Sequence, residues 1–115
     1  HLAAFARAGG VLAGLSAGAI LMTPTIGLAG VPDFDADENE VGLTDLKGLG
    51  LVGFEFSPHD TAHPKRRTQL SRYSAEISKP VFSVADGGGI VLQGDRLGLY
   101  GRVKLYHRGK SWKLN

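Results

Sequence analysis

The run Gly14-Leu15-Ser16-Ala17-Gly18-Ala19 constrains this chain more than any other stretch. It lies between two apolar runs, Gly10-Val11-Leu12-Ala13 and Ile20-Leu21-Met22. A serine set among small residues where a strand gives way to a helix is the layout of a nucleophile elbow. Such a turn is tight, and small residues at 14, 17, 18 and 19 are expected to relieve its crowding. The bend is expected to lift the Ser16 hydroxyl clear of the sheet edge. The Ala17 amide, at the helix start, would then face a developing oxyanion. The competing reading of the same residues is a strand-to-helix turn whose serine caps the helix.

An elbow needs a sheet beneath it. Residues 11–15 read as a short buried strand, preceded by a short helix with Leu2, Phe5 and Ala6 on one side, which Gly9-Gly10 stops. A helix begins at Ala17, and Pro24 limits it to about two turns. Residues 49–56 are strand-like until Ser57-Pro58-His59-Asp60, where Pro58 ends the ladder. Leu70, Tyr73 and Ile77 recur at helical spacing within residues 65–77, and Pro80 follows. Residues 81–85 read as another buried strand, delivering Asp86-Gly87-Gly88-Gly89 at its end.

Four short strands are expected at 90–93, 97–100, 103–107 and 111–114, with turns at 94–95, 101 and 109. The chain is therefore expected to be α/β and a single domain, with parallel strands at 11–15, 50–56 and 81–85 and a β-meander at its end. Three parallel strands make a thin core with exposed edges, so the chain reads as the C-terminal half of something larger. Between the elbow and the second strand, residues 29–47 carry six acids, Asp33, Asp35, Asp37, Glu38, Glu40 and Asp45. They form a long acidic loop, either a flap or a surface insertion.

Charge and composition narrow the function classes. Thirteen Lys and Arg against eleven Asp and Glu leave a net charge of +2, too little to argue for nucleic acid. Cations concentrate at Lys65-Arg66-Arg67 and in the tail. There Arg102, Lys104, His107, Arg108, Lys110 and Lys113 alternate with Val103, Leu105, Tyr106 and Trp112. That alternation reads as strands with a solvated face rather than an aromatic platform for bases. With no cysteine, disulfides, thiolate metal sites and a cysteine nucleophile are excluded. The cysteine count is compatible with the cytoplasm, which is the expected location. No run reaches the roughly 18 apolar residues of a membrane span, so neither membrane nor nucleic acid is an expected partner.

Three groups fall just past three expected strand ends: Ser16, His59 and Asp86. Sites on open α/β sheets lie at the carboxyl ends of strands. Ser16 would attack a carbonyl, His59 would take its proton and return it to the leaving amine, and Asp86 would hold the imidazole tautomer. The chain order Ser…His…Asp is no obstacle, because this geometry recurs in several orders. The plainer reading makes Ser57-Pro58-His59 an ordinary turn and Asp86 a turn former before three glycines. His59, Asp60 and His63 raise the question of a metal. An H-x-x-x-H pair holds one metal only on a helix, and Pro58 and Pro64 argue against a helix there. No metal or other cofactor is expected. His1 and His107 are weaker candidates than His59.

Gly14-Leu15-Ser16-Ala17-Gly18-Ala19, then Pro24-Thr25, then Leu49-Gly50-Leu51 leading to Ser57-Pro58-His59, together resemble the peptidase E family. These are aspartyl dipeptidases of the serine peptidase class, a group that includes cyanophycinases. The resemblance covers nearly the whole chain. It implies a class I glutamine-amidotransferase-like three-layer sandwich and a Ser-His-acid site, with Ser16 as nucleophile, His59 as base and Ala17 as one oxyanion donor. Val84-Ala85-Asp86-Gly87 corresponds to a family segment of the type L-P-E-G, so Asp86 would stand one methylene shorter than the family's Glu. Asp33 and Asp35, in the loop after the elbow, are the alternative acids.

Arg67-Thr68-Gln69-Leu70-Ser71-Arg72 fits the family's R-x-Q-x-x-R pattern. Arg67 would then capture a substrate carboxylate, since a guanidinium suits bidentate binding. Pro64-Lys65-Arg66 departs from the family's acidic lead-in, which leaves aspartyl preference open. The resemblance also implies an N-terminal half carrying the second oxyanion donor, as a partner chain or an absent segment, packed against residues 11–15. It further implies a homodimer of the full enzyme and a peptide substrate. The alternative function is a non-catalytic or regulatory amidotransferase-like domain that keeps the elbow as a feature of its fold.

Overall fold

The computed structural model describes residues 1–31 and 36–115. Its helices are α1 (Leu2–Arg7), α2 (Ala17–Leu21) and α3 (Pro64–Glu76), with a 3-10 turn at Gly27–Gly30. Its strands are β1 (Glu55–Ser57), β2 (Val81–Val84), β3 (Gly89–Gln93), β4 (Arg96–Tyr100), β5 (Val103–His107) and β6 (Lys110–Lys113). Four of them form one mixed sheet in the order β1-β2-β5-β6. β1 is parallel to β2, whereas β5 and β6 join antiparallel. β3 and β4 pair as a separate hairpin.

All four residues of β2 are buried, because both faces of the sheet are covered. Successive side chains of a strand point to opposite faces. On one face Val81 packs with Tyr106, Leu28 and Leu70, beneath α3 and the 3-10 turn. On the other, Phe82, Val84 and Val103 pack with Ile90 and Leu99 of the hairpin. Phe54 meets Phe82 edge-on, with ring centroids 4.8 Å apart. A strand covered on both sides reads as a continuous apolar run, which is how this one was legible in the sequence. α3 starts where Pro64 takes its first position, and His63 caps it by accepting the Lys65 amide at 3.2 Å.

Several expectations are corrected. Residues 11–15 belong to no strand, and none of their amides makes a hydrogen bond among the described residues. Val11 and Leu15 are 88% and 90% exposed. Apolar character is not enough for a strand, which also needs a neighbouring ladder. Residues 49–54 are not a strand either. The amides of Leu49, Gly50 and Leu51 donate to the carbonyls of Leu21, Thr23 and Met22, at 2.8, 3.1 and 2.9 Å. They satisfy the carbonyls that the end of α2 leaves open, so the chain is free to pair only from Glu55 onward. Two parallel strands therefore replace the expected three.

The tail is two hairpins rather than one meander, since β3 and β4 leave the sheet and β5 returns to it beside β2. α1 forms as expected but buries no residue. The described part of the acidic segment is tied down at both ends. Asp37 donates its amide to the Ala29 carbonyl at 2.8 Å, and Leu46 accepts from the Ile26 amide at 2.8 Å. No helix among the described residues is long and apolar enough to cross a membrane.

Candidate active site

The Ser16 hydroxyl and His59 Nε2 lie 2.8 Å apart, and His59 Nδ1 lies 2.6 Å from Asp86 Oδ1. Three residues separated by 43 and 27 positions thus form one chain of hydrogen bonds. The site is open, with the His59 and Asp86 side chains 51% and 81% exposed. Asp33 and Asp35 lie outside the described residues. No group of three His, Cys, Asp or Glu suited to a metal occurs among the described residues.

Ser16 stands between residues 11–15 and α2. Its backbone has φ 53° and ψ −117°, a conformation that L-residues seldom adopt and that is typically found where function requires it. Ser16 is the N-cap of α2 but makes no side-chain cap bond, so the capping alternative fails. Its hydroxyl is turned to His59 instead. Gly14 explains why the elbow closes. A Cβ there would run into the Gly18 carbonyl, 2.6 Å from its carbon and 2.7 Å from the Ala19 nitrogen. Gly18, by contrast, would meet nothing within 4 Å, so the expected crowding holds at 14 and not at 18. The Ala17 amide opens α2 and makes no hydrogen bond among the described residues, leaving a donor available beside Ser16.

His59 also has positive φ, 57°, and the loop that holds it is fastened by side chains from other elements. Arg66 of α3 donates to the Pro58 carbonyl and to Ser57 Oγ, the latter at 3.3 Å. Arg102 donates to the Asp60 carbonyl and Lys104 to the Thr61 carbonyl, each at 3.3 Å. Three cations therefore fix carbonyls 58, 60 and 61. The Asp60 amide donates to Val84 at 2.9 Å, which ties the loop to the end of β2. The Asp60 side chain is buried, accepting from Ser83 Oγ at 2.8 Å, with Lys104 Nζ 2.9 Å from its other oxygen. Asp86 follows β2 in a turn closed by the Gly88 amide on the Ala85 carbonyl at 2.9 Å.

These contacts correct the solvated-face reading of the tail cations. Lys104, with a side chain only 21% exposed, and Arg102 reach back to the His59 loop. They also move attention from Arg67 to Arg66. Arg67 is exposed and has no hydrogen bond to Ser16, His59 or Asp86, whereas its neighbour holds the residue before the histidine. Deeper in the same face, burial pushes the Tyr106 phenol up, the Asp60 charge adding to the effect and Arg67 and Arg66 opposing it. The signal that could have found this layer is Ser83 inside a buried apolar run, directly opposite Ser57 and Lys104 in the sheet register.

The family model described as peptidase family S51 matches residues 2–100 of the chain, which bears out the resemblance to the peptidase E family. No curated protein matches the sequence.

Proposed function

The chain belongs to peptidase family S51, and from that premise we propose that it is the catalytic part of a serine peptidase acting through Ser16, His59 and Asp86. The observation that carries the reading is the unbroken line from Ser16 Oγ through the imidazole to Asp86, with spans of 2.8 and 2.6 Å. Both lie in the range needed for proton transfer and for holding a tautomer. Asp86 accepts a hydrogen bond from Nδ1–H, which leaves Nε2 as the base facing Ser16. Ser16 Oγ adds to the peptide carbonyl while Nε2 takes its proton. The Ala17 amide donates to the resulting oxyanion. Collapse breaks the C–N bond, and the imidazolium returns the proton to the leaving amine. A water molecule, deprotonated by the same nitrogen, then hydrolyses the acyl ester and regenerates Ser16.

The substrates in this reading are dipeptides or short peptides, in keeping with an open site. A preference for an acidic N-terminal residue would draw on Arg67, whose exposed guanidinium lies on the helix that follows the His59 loop. The reading also includes a class I glutamine-amidotransferase-like sandwich completed by an N-terminal half. Beside residues 9–14 runs an apolar groove of about 700 Å³, lined also by Met22, Leu51, Phe54, Phe56 and Ile90. A packed segment there would give residues 11–15 the ladder they lack.

A panel of dipeptides and short peptides varied at the first and last residues, assayed with wild type and Ser16→Ala, tests the reading. The full natural chain should lose activity by a factor on the order of 10⁵–10⁶ in Ser16→Ala. Activity that survives in that variant sinks the mechanism, whereas a wild type without peptidase activity favours the non-catalytic domain.

A further inference from the structure

We infer that Asp60 is a positioning residue, whose buried carboxylate, clamped between Ser83 and Lys104, sets the His59 imidazole between Ser16 and Asp86. The inference rests on the reading of those three residues as the catalytic set. Asp60 follows His59 directly and is held at its amide, its carbonyl and one carboxylate oxygen, with an ion pair at the other. Its amide bonds Val84, its carbonyl takes Arg102, one carboxylate oxygen takes Ser83 and the other faces Lys104. Val84 lies two residues before Asp86, so the same contact fixes the distance between the two ends of the imidazole's surroundings.

The left-handed backbone of His59 is costly for a non-glycine residue, and it persists only if its neighbours hold it. The neighbours here are held by groups on three different elements. Arg66 comes from α3, Ser83 from β2 and Lys104 from β5, while Arg102 enters from the turn before β5. A buried carboxylate is stable when it is paired and hydrogen-bonded, and this one is both. The pairing commits Lys104, which also takes the Thr61 carbonyl, so one ammonium pins the loop at two points. Among the described residues, the Ser16 hydroxyl hydrogen-bonds His59 and none of these side chains. Their effect on chemistry must therefore run through the place of His59.

The test uses the full natural chain, with steady-state kinetics on a good dipeptide substrate and melting curves for each variant. Asp60→Asn keeps the volume and an acceptor for Ser83 but puts an amide where the ammonium needs a charge. A displacement of about 1 Å in a catalytic group costs up to about 10²-fold. Asp60→Asn should lower kcat by about 30- to 100-fold while KM stays within about threefold. Lys104→Met should behave alike, and Lys104→Arg should recover most of the loss.

The decisive comparison is with His59→Ala. If Asp60 acts through His59, Asp60→Asn should not lower the residual activity of His59→Ala further. An equal fold-loss in both backgrounds, or an unchanged kcat in Asp60→Asn, overturns the inference. Should Asp60→Asn fail to fold, Ser83→Ala carries the same comparison with the same two overturning results, since it removes only one hydrogen bond to Asp60. Full activity in His59→Ala or Ser16→Ala is a different failure, which removes the catalytic set itself.

Discussion

The two flanks of the site are built in opposite ways. His59 and Asp86 stand on the ends of β1 and β2, in a sheet buried on both faces, with cations gripping the loop between them. Ser16 follows residues 11–15, four of which are exposed and which have no ladder among the described residues, and is steadied by one short helix at whose end the carbonyls of residues 21–23 are taken by residues 49–51. His59 and Asp86, the proposed base and acid, are positioned by long-range contacts. Ser16, the proposed nucleophile, is positioned by local sterics at the elbow. A local device needs few residues, and so it is the part that a sequence motif can record.

Gly14→Ala probes that local device and should have the largest effect of the variants that leave the reacting groups intact. The added Cβ would fall 2.6 Å from the Gly18 carbonyl carbon, so backbone must move and Ser16 with it. Peptidase activity should fall by about 10²-fold or more. Gly18→Ala is the matched control. It would meet nothing within 4 Å and lies inside α2, so it should leave kcat near wild type and raise stability by about 0.5–1 kcal/mol. Equal losses from the two glycines would mean that the elbow is not set by the contact at position 14.

Leu15→Asp asks whether the Ser16 flank stays as bare as it is within this chain. Leu15 is 90% exposed, and a charge at a free surface changes stability by no more than about 0.5 kcal/mol. Under the proposed packing of an N-terminal segment on residues 11–15, the same change buries an unpaired charge. It should then cost the full natural chain about 2–4 kcal/mol in chemical denaturation. A cost within the surface range would make the bare flank the native state and remove the packed segment from the reading.

The same contrast explains what could be read from the chain before its fold was known. Residues 81–85 announce a doubly covered strand by composition, and α3 announces itself by the spacing of Leu70, Tyr73 and Ile77. Ser16, His59 and Asp86 were legible because each follows an apolar run. Residues 11–15 and 49–54 were misread for one physical reason. Apolar content records a wish for burial but not where the backbone hydrogen bonds go. The polar layer behind His59 left only one mark in the sequence, Ser83 within an apolar run. Asp60 looks like a turn residue, Ser83 like a blemish in an apolar run, and Lys104 like the polar face of a strand. Only the register that sets Ser57, Ser83 and Lys104 side by side gathers them.

Glu55 supplies the smallest and most local test, because it is the second buried acid on the face that holds Asp60. Asp60 is paired with an ammonium, whereas Glu55 accepts the Tyr73 hydroxyl at 2.6 Å. Burial pushes the Glu55 carboxyl above its ordinary value of 4.5, with the Tyr73 hydrogen bond opposing the shift. Burial also pushes the Tyr73 phenol up, and the hydrogen bond and charge of Glu55 add to it. For an acid raised in this way, the folded chain keeps a proton that the unfolded chain has lost. Stability from this group is therefore complete below 4.5 and declines as pH rises through the folded value. Glu55→Gln keeps an acceptor for Tyr73 and cannot titrate. Its melting temperature should hold steady across the span above 4.5 where that of wild type falls. Parallel curves would mean that Glu55 is stabilised as a charge after all, and that the two buried acids of this face are held in the same way.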